Sequence, residues 1–149
     1  MKGDARAVVI DPPLNQLRLA GRSCGGCTAC CTVLAVHELH KPMRWACDHL
    51  DCGGCGIYEA RPRGCRDFDC LWLRGEIPGD ESRRPDRLGV IFDCFRDKAT
   101  NAVRFVAFEV WSGAFHEPAA ATLLAELSAT REVQLSCRDG SWRTIGRCR

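Results

Sequence analysis

Cysteines stand at positions 24, 27, 30 and 31, and five more follow between residues 47 and 70. Nine of the chain's 12 cysteines therefore lie in under a third of its 149 residues. Isolated structural thiols do not cluster this way. Either disulfides or a metal would account for the density. Cysteines two residues apart favour the metal, because the backbone between them turns tightly and aims several thiolates at one centre.

The redox compartment bears on the same choice. The opening MKGDARAVVIDPPLNQ carries an early acid, no long apolar stretch and no small-residue cleavage site, unlike a secretory signal. No apolar run approaches the roughly 18 residues that span a bilayer, and 27% of the residues are charged. The expected location is cytoplasmic, with no membrane partner. There the thiol pool keeps cysteine pairs reduced, so clustered cysteines are expected to be ligands or catalysts rather than bridges.

At this length one domain over residues 1–149 is expected, without repeats or a long linker. Its apolar residues are unevenly placed, with the longer runs after residue 87. The first half is short of core, and structural zinc, at about 10–16 kcal/mol, would offset that shortage. The expected fold class is α+β. A metal-stabilised cysteine-rich half of loops and one short helix, about 21–73, precedes antiparallel β-hairpins and one covering helix, about 88–146.

Local patterns fill in this outline. Val8 to Asp11 reads as a short extended piece stopped by Pro12-Pro13. Glycines at 21, 25 and 26 permit turns around Cys24 and Cys27, and TACCTVLAVHELHK from Thr28 is helix-compatible, which would put Cys27, Cys30 and Cys31 on one face. Residues 43–79 show little periodicity and read as loops and single turns, with Leu71-Trp72-Leu73 as their apolar knot. LGVIFDCF and AVRFVAFEV, separated by RDKATN, predict an antiparallel hairpin. Pro118 opens a helix in AAATLLAELSAT, and Asp139-Gly140 joins VQLSC to SWRTI as a second hairpin.

Net charge does not point to nucleic acid. The formal +2 counts thiols as neutral; eight thiolates (about −8) and two divalent ions (about +4) would bring it near −2. Arginines 61, 63, 66, 74, 83, 84 and 87 are interleaved with Asp67, Asp69, Glu76, Asp80 and Glu81, which reads as an ion-paired surface rather than a phosphate track.

Adjacent Cys30 and Cys31 have Cα atoms about 3.8 Å apart and side chains that diverge. Such a pair rarely serves one tetrahedral ion, so two neighbouring centres or a bridging thiolate are implied. Cys47, Cys55, Cys65 and Cys70 bring the count to eight, enough for two closed four-cysteine sites, the arrangement zinc prefers in structural roles. Iron competes, because Cys24, Cys27 and Cys30 reproduce the C-x2-C-x2-C start of a bacterial ferredoxin run, although Cys31 follows at once where that run continues with three residues and Cys-Pro. Soft thiolates suit both metals. The expected cofactor is Zn2+, about two ions, or iron, including an iron-sulfur cluster.

C-x2-C-x2-C-C at Cys24 to Cys31, CDHL at Cys47, and GCGIYEARPRGCRDFDCLWL from Gly54 to Leu73 together resemble the YkgJ-type cysteine-cluster family, described as a zinc- or iron-chelating domain. RRPDRLGVIFD is similar to a subgroup of it, so the resemblance covers roughly residues 21–93. It implies metal chelation by Cys24, Cys27, Cys30, Cys31, Cys47, Cys55, Cys65 and Cys70. A similar cluster accompanies a flagellin lysine methylase, which leaves an enzymatic or enzyme-accessory role open.

The remaining candidates have plainer readings. Cys94 and Cys137 fall in apolar strands and read as small buried hydrophobes; Cys148 is near the end, and Cys52, between Cys47 and Cys55, is a possible substitute ligand. His37 and His40 are three apart, not the four of a metalloprotease helix, and read as a solvated helix end. His49 is the best histidine for a mixed site, His116 sits near a helix start, and Asp67 and Asp69 are candidate hard ligands for iron. Tyr58-Glu59, Arg61-Pro62 and Arg66-Asp67 form a polar set between the ligands and are catalytic candidates; in the plainer reading, arginines and backbone N–H groups there offset thiolate charge and orient the ligands. Trp111 and Trp142 read as core or edge packing.

Eight thiolates would saturate zinc, and zinc hydrolysis needs an open coordination position, so chelation is favoured over catalysis. An iron or iron-sulfur redox role is the alternative, and a zinc-shaped partner-binding module is the third class.

Overall fold

The computed structural model describes residues 18–146, which leaves the expected extended piece at Val8 to Asp11, and Cys148, outside the described residues. The architecture is α+β, with the main sheet in the second half. Strands β3 (Val90–Arg96) and β4 (Val103–Glu109) form the expected antiparallel hairpin, pairing Ile91 with Phe108 and Cys94 with Phe105. A second hairpin joins β5 (Val133–Ser136) to β6 (Trp142–Ile145) across Asp139-Gly140. Between the hairpins runs the helix Pro118–Ser128, with Pro118 in its first turn where the missing N–H has no intrahelical partner to lose.

The hairpins meet in a way that local patterning did not announce. β4 and β5 lie parallel, Phe105 opposite Val133, so the four-stranded sheet, ordered β3-β4-β5-β6, is mixed rather than wholly antiparallel. The reason is the helix between them: a crossover that carries the chain back over the sheet returns the next strand in the same direction.

Alternation along β3 and β4 divides the core into two layers. Val90, Phe92, Cys94 and Ala107 face Ala120, Leu123 and Leu124 of that helix together with Leu71, Trp72 and Leu73. The expected apolar knot is therefore core, at 1–2% exposure. Ile91, Val106 and Phe108 face the other way, onto Ala29, Val33 and Leu34. Gly89, at φ +84°, turns the chain into β3 in a conformation that suits glycine, and a Cβ there would stand 2.7 Å from that of Ala114.

The helix behind the first cysteines, α1, is shorter than its pattern suggested. It spans Ala29–Val33 only, has no side-chain cap at Thr28, and ends where Leu34 turns extended. A separate 3-10 turn at His37–Leu39 follows. Cys27 precedes the helix, so it does not share a helical face with Cys30 and Cys31. Val36 bridges Lys41 instead of continuing the coil.

From residue 42 to 68 not one residue is buried. This stretch contains the two-residue strands β1 (Leu50–Asp51) and β2 (Gly54–Cys55), a 3-10 turn at Tyr58–Ala60, and α2 (Arg63–Arg66), an arrangement of loops and single turns as expected.

Candidate metal centre

Backbone hydrogen bonds bring the cysteines of three separate segments together. The Cys27 N–H donates to the Cys24 carbonyl at 2.8 Å, closing the turn that precedes α1. The Cys47 N–H donates to the Cys31 carbonyl at 2.9 Å, which returns the chain to the end of that helix. Cys55 pairs with Leu50 across the small hairpin. Cys65 lies in α2, held by the Gly64 N–H on Glu38 Oε2 at 2.8 Å. Cys70 is fixed to the main sheet by its neighbour, since the Leu71 N–H donates to the Phe92 carbonyl at 2.8 Å.

The result is one cavity of about 410 Å³ whose wall includes Cys24, Cys27, Cys30, Cys31, Cys47, Cys55 and Cys65. Cys70, the eighth expected ligand, packs against both apolar layers of the core. All eleven described cysteines are free thiols. Cys52 and His49 are exposed and are not among the cavity's lining residues. Cys94 and Cys137 are buried in the core, each 7% exposed. His37 and His40 are exposed around their 3-10 turn, and His116 sits just before the Pro118 helix.

Burial and hydrogen bonding set the thiols apart from one another. Cys31 is lowered to about 7, first by a hydrogen bond from the Cys30 thiol and then by the charges of Lys41 and Arg61, against the opposing effect of burial. Cys30 is raised well above the ordinary thiol range by the same bond and by burial. Burial pushes Cys27 up to about 11 and Cys70 up to about 12.

Positive groups surround the cavity. Arg61 stacks 3.8 Å over the Tyr58 ring, donates to the Tyr58 carbonyl, and acts electrostatically on Cys24, Cys31 and Cys65. Arg66, expected among these groups, is exposed at the end of α2. Arg84 grips Asp86 through two hydrogen bonds, 2.6 and 2.8 Å, and the Asp86 carboxylate in turn accepts from the Cys27 thiol. Lys41 is buried, with its ammonium on the Leu34 carbonyl. Lys41 had no signal in the sequence, because nothing in its local spacing distinguishes it from a solvated charge, and Arg84 stood out there only as one of an ion-paired set.

The two aspartates expected as hard ligands part company. Asp67 is exposed and pairs with Arg63 at 2.9 Å. Asp69 is buried, accepts from Arg18 Nε and Nη2 through Oδ1, and leaves Oδ2 without a hydrogen-bond partner.

The donor set fits a soft ion: seven thiols on one cavity, with cationic groups beside them to offset thiolate charge. The side chains do not converge. Among the described residues no three His, Cys, Asp or Glu side chains are grouped so as to hold an ion. Gripping one would require thiols to lose their protons and turn inward, since the thiolate is the ligand. No described helix is long and apolar enough to cross a membrane. Comparison of the chain with protein-family models, with curated proteins and with solved structures finds no match to any of them.

Proposed function

We propose that this protein chelates zinc or iron through cysteine thiolates, and that the bound metal holds the segment 42–68 in place. One observation carries the reading: among the described residues, the only stretch of that length without a single buried residue contributes three thiols to a cavity whose wall holds four more. A segment without core has little to offset its conformational entropy, about 1–2 kcal/mol per residue for the backbone alone. Metal coordination is the contribution large enough to do so. The motif resemblance to the YkgJ-type family supports the same reading.

The cavity volume favours a second reading. At about 410 Å³ it exceeds what one or two bare ions need, and apolar residues such as Leu34, Ile57 and Phe68 contribute to its wall. An iron-sulfur cluster would use that space, and redox chemistry would follow from it. Anaerobic purification with elemental analysis and a visible spectrum separates the two. About two zincs per chain and no colour support chelation by closed thiolate sites; iron with visible charge-transfer bands supports the cluster. A chain that holds neither metal, as purified or after anaerobic reconstitution, overturns the proposal.

A further inference from the structure

We infer that the eight thiols form two separate four-thiolate centres, Cys24, Cys27, Cys30 and Cys70 in one and Cys31, Cys47, Cys55 and Cys65 in the other. This inference rests on the chelation reading above and assigns the ligands within it.

The first argument is packing. Cys24 and Cys70 pack against the core layer under the Pro118 helix, and Cys27, Cys30 and Cys70 against the layer under α1. The other four cluster cysteines pack against neither layer. The division therefore separates the thiols that touch the core from those that do not.

The second argument is the helix. Consecutive residues in an α-helix project about 100° apart around its axis. Cys30 follows Ala29 onto the core side of α1, whereas Cys31 points elsewhere, and its carbonyl receives the Cys47 N–H. The two thiols are hydrogen-bonded to each other, but only Cys30 also packs against the core, so the division between adjacent cysteines that cannot comfortably share one tetrahedral ion falls at this contact.

The test is metal retained per full-length chain, zinc or iron, after anaerobic gel filtration. Cys47→Ser/Cys65→Ser removes two ligands of the loop centre and should retain half of the wild-type metal. In that background Cys31→Ser should leave the remaining half in place, whereas Cys30→Ser should weaken its retention by about tenfold or more. Hydrogen exchange in β3 and β4 reports whether each variant keeps its sheet. A double variant with an intact sheet that loses all of its metal, or keeps all of it, overturns the partition. So does the reverse behaviour of the Cys30 and Cys31 variants. A wild-type chain without metal overturns the chelation reading itself, an outcome distinct from any failure of the partition.

Discussion

The segment 42–68 and the sheet from Val90 to Ile145 belong to one chain but solve the stability problem differently. The sheet alternates its side chains between two layers and buries residues such as Val90, Ile91, Leu123 and Val133 to 1% exposure or less. The loop segment has turns, a two-residue hairpin and one turn of helix, with every residue at least partly exposed. The sheet needs only water to fold against. The loop segment lacks that driving force, and three of its four cysteines, Cys47, Cys55 and Cys65, face a shared cavity instead of a core. What the contrast teaches is that thiol spacing can stand where hydrophobic periodicity is missing.

The strongest challenge to this comparison is metal removal. With structural zinc contributing about 10–16 kcal/mol, chelation should raise hydrogen exchange throughout residues 42–68 while β3 and β4 keep their protection. Unchanged exchange in the segment after verified metal removal would break the comparison.

The converse test is in the core. Leu123 is fully buried in the layer between helix and sheet, so Leu123→Ala should cost about 2–5 kcal/mol, read by denaturant unfolding. A loss much smaller than that would show that the sheet, too, depends on something other than its core.

Arg44 sharpens the comparison because it ties the two regions together. Its guanidinium donates to the Glu109 carbonyl at 2.9 Å and to Ser136 at its carbonyl and hydroxyl, 2.7 and 2.8 Å, while its own N–H reaches the Val33 carbonyl. Hydrogen bonds from a charged group contribute about 1.5–3 kcal/mol, so Arg44→Ala should lower stability by that order and loosen residues 42–47 more than the strands. Equal loosening of both would mean the clamp is not the link.

The smallest effect is expected at Asp97, in the turn between β3 and β4. Its carboxylate is lowered by the N–H groups of Ala99 and Thr100. A carboxylate with a folded pKa below its unfolded value of about 3.9 adds stability above that pH, and the contribution disappears as pH falls through the folded value. Asp97→Ala should therefore lower Tm slightly at pH 7 and make no difference in strong acid, with or without metal. A metal-dependent effect would tie the hairpin turn to the cysteine region.

Several elements were legible from local chemistry. The β3-β4 hairpin followed from two β-rich runs around RDKATN, the Pro118 helix from its apolar spacing, and the last hairpin from Asp139-Gly140. The loops and single turns of 43–79 and the buried Leu71-Trp72-Leu73 knot were also readable, as were Cys94 and Cys137 as interior residues. The helix after Thr28 was overread, because an apolar pattern compatible with a helix does not oblige the chain to continue one past Leu34.

By itself, the sequence determined where turns, strands and the long helix form and which cysteines are near one another along the chain. Those choices depend on side-chain periodicity and turn chemistry within a few residues. Only the tertiary structure decided that β4 and β5 run parallel, that α1 covers the second face of the sheet, that Lys41 is buried, and that Cys30 but not Cys31 packs against the core. Each of these depends on which surface meets which across tens of residues, and that is settled by complementary packing, which no local pattern encodes.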